Sequence, residues 1–155
     1  MKLKTLFSAA AVALLAACSG DSPTAVTIPT LTPLPAGTPI VTNASGLQYA
    51  EITVGTGTVA QNGSRVAVHY TGWLANGTGF DTTVGLQPYP LTLGQHGVIL
   101  GFEEGILGMK VGGKRRLFVP AALAYGATAV YDQNAKLIIP ANSDLIFDVE
   151  LVALQ

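Results

Sequence analysis

Arg65-Val66-Ala67-Val68-His69-Tyr70-Thr71-Gly72-Trp73-Leu74 is the stretch that decides the fold. Val66, Val68, Tyr70 and Leu74 share one register of this segment, and polar residues such as His69 take the other. Because successive side chains of a strand point to opposite faces of a sheet, this alternation predicts a strand with one buried face.

Further short segments with similar alternation surround this strand and are separated by glycine, asparagine and proline. The pair Asn76-Gly77 predicts a turn directly after it. Additional strands are predicted over residues 47–52, 89–93, 114–119 and 144–154, the last of these being the longest and clearest. Short strands joined by turns are typical of β architecture.

One segment has the period of a helix. Phe102, Ile106 and Met109 follow one another at spacings of four and three, and Glu103 and Glu104 lie in what would be the first turn, where carboxylates suit the positive end of a helix dipole. We therefore predict an α+β fold in which an antiparallel sheet of five to six strands wraps around one short α-helix. This domain is expected to span residues 46–155.

The composition limits the number of domains and the kind of partner. With 155 residues, of which 49% are apolar and 11% charged, the chain is long enough for one domain with a substantial core. The net charge of −1 becomes −3 when the two positive charges of Lys2 and Lys4 are removed with a leader. The chain therefore has no excess of positive charge that would attract nucleic acid, and a nucleic-acid partner is not expected.

The first residues have the layout of a secretory signal. Two lysines precede an apolar segment, and small residues lead to Cys18, so residues 1–17 are predicted to be a signal peptide. Leu15-Ala16-Ala17-Cys18 resembles a bacterial lipobox, whose cysteine is diacylated and becomes the new N-terminus. Cys18 is the only cysteine, which argues against a disulfide, and its place at the edge of the leader argues against a catalytic thiol. The resemblance implies a lipid-anchored envelope protein, and Ser19 after the cysteine favours the outer membrane.

Residues 18–45 are expected to form a tether behind the lipidated cysteine. The segment is rich in proline and threonine and has neither a helical nor an alternating apolar period. Extended, polyproline-like chain rises about 3.1 Å per residue, so the tether could hold the domain about 80 Å from a membrane. A proline-rich ligand for a partner's aromatic groove is the alternative interpretation.

Several kinds of active site are not indicated. The sequence has no Gly-x-Ser-x-Gly elbow, phosphate loop, dinucleotide fingerprint or zinc-spaced cysteine cluster. His69 and His96 are far apart and are expected on the sheet surface and in a loop. We therefore expect neither a metal nor a cofactor.

The charged clusters also have a simpler interpretation than chemistry. Glu103 and Glu104 are predicted to be surface residues rather than an acid–base pair, because adjacent helical side chains diverge. Lys110, Lys114, Arg115 and Arg116 are predicted to form a solvated face rather than a phosphate site.

Taken together, the remaining motifs resemble the FKBP family of peptidyl-prolyl isomerases. They occur in order over about ninety residues and comprise Val66 to Gly72, Gly79-Phe80-Asp81, Gly94 to Gly105, Ala124-Tyr125-Gly126, and Ile138-Ile139-Pro140 followed by Leu145 to Leu151. The resemblance implies rotation of prolyl bonds in unfolded or partly folded polypeptides. It also implies binding of macrolide inhibitors such as rapamycin.

The resemblance assigns a pocket to ten positions. Tyr70, Phe80, Asp81, Phe102, Tyr125 and Phe147 would be catalytic, and Tyr89, Val98, Ile99 and Ile139 would bind substrate. Phe102 would be the floor beneath the proline ring. Aromatic and branched aliphatic walls suit a pyrrolidine ring, and the polar tips of the tyrosines and the aspartate could orient the peptide.

Three features depart from the family's pattern. Phe102 stands where tryptophan is common, the loop between Phe80 and Tyr89 is short and lacks an arginine that could pair with Asp81, and residues 128–137 form a longer loop. Two other classes of function stay open: a noncatalytic chaperone or peptide-binding module that uses the same groove, and a structural lipoprotein with a vestigial pocket. A tethered monomer is expected, since no long helical N-terminal segment is present.

Overall fold

A computed structural model describes residues 26–155, so the predicted signal peptide and the lipidated Cys18 lie outside the described residues. The strands are β1 (Val41–Thr42), β2 (Gln48–Thr53), β3 (Arg65–Leu74), β4 (Gly79–Thr82), β5 (Tyr89–Thr92), β6 (Lys114–Val119), β7 (Val130–Tyr131), β8 (Leu137–Ile139) and β9 (Leu145–Leu154). The helix α1 covers Leu100–Ile106, and a single 3-10 turn covers Ala121–Leu123. Within residues 26–155, no helix is long and apolar enough to cross a membrane.

Seven strands form one antiparallel sheet in the order β1-β2-β6-β9-β3-β4, and β5 also pairs with β3. The two ten-residue strands β3 and β9 lie side by side, from Val66 opposite Leu154 to Leu74 opposite Leu145. The outer edge of β3 is shared, because its first half pairs with β5 and its second half with β4. The predicted α+β class is confirmed, with one strand more than expected because β1 comes from the predicted tether.

Helix α1 packs on the inner face of the sheet and ends at Ile106, three residues earlier in the sequence than its apolar pattern suggested. Gly108 follows with φ of 78°, a backbone conformation that favours glycine, so the helical pattern breaks before Met109. Gly105 allows close approach to β6, because a Cβ atom there would collide with the side chain of Leu117. The core between helix and sheet contains Phe102, Ile106 and the inward side chains of β3, β6 and β9.

The arginines of β6 are buried, so the predicted solvated face is wrong for these two residues. Arg115 and Arg116 are 5% and 4% exposed. Arg115 bonds Glu51 and donates to the carbonyl oxygens of Gly105 (2.7 Å) and Leu107 (3.2 Å), which lie at the end of α1. Its charge is thus satisfied by a carboxylate and by helix-end carbonyls that point away from the helix. Alternation along β6 correctly placed Leu117 inside but gave no sign of these partners.

Parts of the predicted tether contact the domain. The Trp73 indole Nε1 donates to the Pro29 carbonyl oxygen at 2.8 Å, and Arg116 donates to the Thr32 carbonyl oxygen at 2.5 Å. Further along, β1 pairs with β2, and Asn43 donates to Glu104 at 2.6 Å. Pro29, Thr32 and β1 therefore contact the sheet instead of running free of it, and the carbonyl groups of Pro29 and Thr32 accept from buried donors. The boundary at residue 46 stays a prediction.

Candidate functional site

Five aromatic rings meet where β3, β4, β5, α1 and β9 converge. Phe102, on α1, lies 5.2 Å from the Phe147 ring and 5.4 Å from the Tyr70 ring, measured between centroids. The Tyr70 ring also contacts Tyr89 at 6.1 Å, and Phe80 contacts Phe147 at 5.7 Å. All these pairs are edge-to-face, the arrangement that favours aromatic packing. The cluster joins five of the ten predicted site residues.

Burial differs across this aromatic cluster. Phe102 is fully buried, Phe147 and Tyr70 are 1% and 2% exposed, and Phe80 and Tyr89 are half-buried. Gly72, beside the cluster on β3, leaves the space that the Phe80 and Phe147 rings occupy. The two half-buried rings thus lie beside a buried aromatic base of Phe102, Phe147 and Tyr70, and the assignment of Phe102 to the floor of a substrate pocket stays a prediction.

Asp81 is the carboxylate of this site and is held by Tyr70. The Tyr70 hydroxyl donates to Asp81 Oδ2 at 2.5 Å. Burial raises the pKa of Tyr70 well above its usual value, and the bond to Asp81 and its negative charge add to that rise. Burial also raises the pKa of Asp81, although the hydrogen bonds from Tyr70 and Thr82 oppose the shift. A neutral hydroxyl therefore holds this carboxylate.

Val98 and Ile99 enter the site from the loop before α1. They are 7% and 8% exposed and belong to the apolar core. The loop is fixed by Glu103, whose carboxylate accepts from the His96 backbone N–H at 3.1 Å and lies 3.3 Å from His96 Nδ1. Glu103 is 5% exposed, so the expectation that it is a surface residue is wrong. Its burial is compensated by the loop backbone that it binds.

Tyr125 and Ile139 come from the chain between β6 and β9. Ile139 ends β8 and is 1% exposed, while Tyr125 is partly buried and packs against the same core. Gly126 follows with φ of 57° and donates to the Ala121 carbonyl oxygen at 2.8 Å, which closes the turn that carries Tyr125. The predicted insertion forms the hairpin β7–β8 beside them, with Val130 paired to Ile139.

An open cavity of about 590 Å³ adjoins the aromatic cluster. Four of the predicted site residues line it: Tyr70, Phe80, Asp81 and Tyr89. Its remaining walls come from Thr82, Thr83, the segment 86–90, and from Val26 and Ile28 near the start of the described chain. Asp81 is its one charged lining residue among residues 26–155. A cavity of this size with apolar walls and few polar groups suits a small apolar ligand or peptide side chain.

Reasoning from the sequence missed Val26 and Ile28. Both lie in the segment predicted to be a free tether, where isolated apolar residues among prolines and threonines show no period. Their place at the cavity depends on the contacts of Pro29 and Thr32 with β3 and β6, which no local pattern indicates.

Comparison with known proteins identifies the family of this chain. Residues 37–152 match the family model for FKBP-type peptidyl-prolyl cis-trans isomerases. The chain is 45% identical over 108 residues to an FK506-binding protein of Neisseria meningitidis, with 69% of this chain and 94% of that protein covered. It is 46% identical over 114 residues to FK506-binding protein 4 of Dictyostelium discoideum, covering 74% of this chain but spanning only 30% of that relative's length.

The fold has the same kind of relatives among solved structures. A peptidyl-prolyl cis-trans isomerase from Pseudomonas syringae superposes with a TM-score of 0.64 at 34% identity, with 75% of this chain and 80% of that chain covered. The fold, with its sheet wrapped around one helix, and the extent of the sequence match both indicate the same family. The chain belongs to the FKBP-type peptidyl-prolyl cis-trans isomerase family.

Proposed function

We propose that this protein catalyses cis–trans isomerisation of X-Pro bonds and thereby assists protein folding in the bacterial cell envelope. The observation that carries the proposal is the cavity walled by Tyr70, Phe80, Asp81 and Tyr89 next to the buried rings of Phe102 and Phe147. A proline ring that enters this site would bury apolar surface against aromatic rings and find one carboxylate, already bonded to Tyr70.

The reaction needs no nucleophile. Rotation about a prolyl amide meets a barrier of about 18–20 kcal/mol because the planar amide is conjugated. Conjugation is lost in the twisted transition state, and much of the carbonyl's polarity is lost with it. An apolar, water-poor site therefore disfavours the planar amide relative to the twisted one. A thousandfold acceleration requires only about 4 kcal/mol of such differential stabilisation.

The side chains at the rim would orient the peptide. Tyr125, at the edge of the core, offers a hydroxyl to a substrate carbonyl, and Ile99 offers its backbone N–H. Val98, Ile99 and Ile139 would complete the apolar wall beside Phe102, since all three belong to the core cluster. These contacts would hold the peptide in the orientation that rotation about the prolyl bond requires, which lowers the entropic part of the barrier.

Macrolide binding is part of the proposal. The relatives in Neisseria and Dictyostelium are named FK506-binding proteins, and the cavity beside the aromatic cluster offers this chain a site for such a ligand. We propose that FK506 and rapamycin occupy it and compete with proline-containing polypeptides. Phe102 offers a smaller ring than the tryptophan common in the family, so altered macrolide affinity is expected.

For the location of the protein, we propose the outer membrane, facing the periplasm. The similarity to Neisseria and Pseudomonas proteins supports a bacterial source. The lipobox-like Leu15-Ala16-Ala17-Cys18 supports cleavage after a signal peptide of residues 1–17 and acylation of Cys18. Two or more acyl chains on one residue anchor a protein stably, whereas one chain binds only marginally. The anchored protein is proposed to act as a monomer.

Metabolic labelling with a clickable palmitate analogue tests the lipid anchor by comparing the parent with Cys18→Ala. We expect label on the parent alone, and label on both proteins would refute the anchor.

A noncatalytic chaperone or peptide-binding module is the second candidate, and one feature favours it. Tyr131 and Leu137 pair across the β7–β8 hairpin and are 58% and 47% exposed. Exposed apolar side chains on the surface suit the holding of unfolded chains.

A protease-coupled isomerisation assay with a proline tetrapeptide separates the two candidates. We expect acceleration by the parent protein and its loss when rapamycin is added. Peptide binding without any acceleration would support the noncatalytic module and refute the proposed enzyme.

A further inference from the structure

The described chain begins at the cavity and then runs over the outer face of the sheet. We name residues 26–32 the N-terminal strap. Two backbone carbonyl groups fix it: Pro29 accepts from Trp73 and Thr32 accepts from Arg116. Both donors are almost fully buried, at 3% and 4% exposed, and Asp148 holds the Arg116 guanidinium through Nε at 2.6 Å. The strap is therefore attached to rigid parts of the sheet.

The side chain of Ile28 turns from these anchors toward the first residue of β4. Gly79 makes room for it, because a Cβ atom at position 79 would lie 2.5 Å from Ile28 Cγ2. Any larger residue at position 79 would therefore force the Ile28 side chain to move. Ile28 is half-buried in this position, and with Val26 it lines the same cavity as Tyr70, Phe80 and Asp81.

The cavity wall that Ile28 completes is apolar. Val26, Leu86, Pro88 and Pro90 also line it, and Gln87 and the threonines at 82 and 83 supply its uncharged polar groups. No lysine, arginine or histidine of residues 26–155 contributes to the lining. The carboxylate of Asp81 would repel an acidic ligand group, and none of the lining residues would compensate its charge.

We propose that Ile28, held in place by the N-terminal strap, is a specificity-determining residue that contacts an apolar side chain next to the substrate proline. This rests on the proposed function, because the cavity adjoins the site assigned to the proline ring. The prolyl ring of the substrate packs against the aromatic cluster. The side chain of the residue next to the proline occupies the space between Ile28 and the 86–90 segment. Acidic residues at that position are disfavoured.

The test compares Ile28→Ser with Ile40→Ser in the full chain. Ile40 is a matched control, because it has the same side chain, lies in the same N-terminal region, is 53% exposed and does not line this cavity. Isomerisation is followed by NMR exchange on two peptide sets in which the residue before or after proline is Ala, Leu or Glu. Binding of the same peptides is measured by calorimetry, and circular dichroism verifies the fold of each variant.

In at least one peptide set, we expect Ile28→Ser to lower the preference for Leu over Ala by about tenfold, the lower end of the effect of one methylene in an apolar pocket. Ile40→Ser should leave the preference unchanged. Trp73→Phe keeps an aromatic ring but loses the donor to Pro29, so it should reproduce part of the loss by loosening the strap.

Three results would overturn the proposal. An equal change for Leu and Ala peptides would make Ile28 merely structural, and faster turnover of every peptide would make the strap an obstacle to the site. A parent protein that neither isomerises nor binds any peptide would refute the proposed function as well. If the parent binds peptides without isomerising them, the enzyme proposal alone fails, and the binding preference still decides the role of Ile28.

Discussion

Replacing Phe102 is the most informative single change, because this ring supports both the core and the proposed pocket. It is fully buried and makes edge-to-face contacts with Tyr70 and Phe147. Truncation of a buried phenylalanine to alanine costs about 3–5 kcal/mol of folding free energy. That is a large share of the about 5–15 kcal/mol by which domains are stable. Phe102→Leu refills most of the space and forfeits mainly two aromatic pairs, each worth about 0.5–1.5 kcal/mol, or about 1–3 kcal/mol together.

Both variants would be studied by urea unfolding and by protease-coupled isomerisation at a temperature where each is folded. We expect kcat/KM to fall about 10- to 100-fold for Phe102→Ala, equal to about 1.4–2.7 kcal/mol of lost transition-state stabilisation, and less for Phe102→Leu. Phe118→Leu is the matched control, since Phe118 lies on β6 outside the aromatic cluster and the cavity. Unchanged turnover by a folded Phe102 variant would refute the assignment of this ring to the floor of the pocket.

Three further predictions address other parts of the site and the fold. Tyr125→Phe should keep the fold and weaken peptide and macrolide binding about three- to tenfold, the range for one hydrogen bond, as measured by calorimetry; unaltered binding would exclude the hydroxyl as a ligand. Arg115→Met should lower the free energy of unfolding by about 2–4 kcal/mol, because Glu51 and the carbonyl of Leu107 lose their charged donor, and urea unfolding measures it; a loss under 1 kcal/mol would contradict this. Because burial raises the pKa of Asp81, folding gains stability from its protonation at pH values below the usual 3.8, and this gain is lost as the pH rises through the folded-state pKa. The Tm of Asp81→Asn relative to the parent should therefore increase from about pH 3 to pH 7, and a decrease would show that the folded protein favours the ionised carboxylate.

The strands and the helix were predictable because their patterns are local. The alternation from Arg65 to Leu74 reproduces β3, and the spacing of Phe102 and Ile106 identifies α1. The number of strands was harder to predict, because β1 contains only two residues and exists through its pairing with β2. Two residues show no periodicity.

Local patterns did not predict hydrogen-bond partners that are distant in the sequence. Arg115 looks like any exposed basic residue until the end of α1 is brought above β6, where two carbonyl groups accept from it. Glu103 likewise looks solvated, although the loop before the helix folds back and donates its His96 backbone N–H. The strap contacts of Pro29 and Thr32 join positions 44 and 84 residues apart, so composition alone predicted a free tether.

The central claim is that the aromatic cavity accelerates prolyl isomerisation, and one measurement tests it most directly. The rate of cis-to-trans conversion of a proline tetrapeptide is recorded with the parent protein, without and with a saturating amount of rapamycin. The account predicts acceleration proportional to protein concentration and its abolition by the drug. Acceleration that persists with the drug bound would place catalysis outside the cavity, and a folded protein that gives no acceleration would contradict the claim.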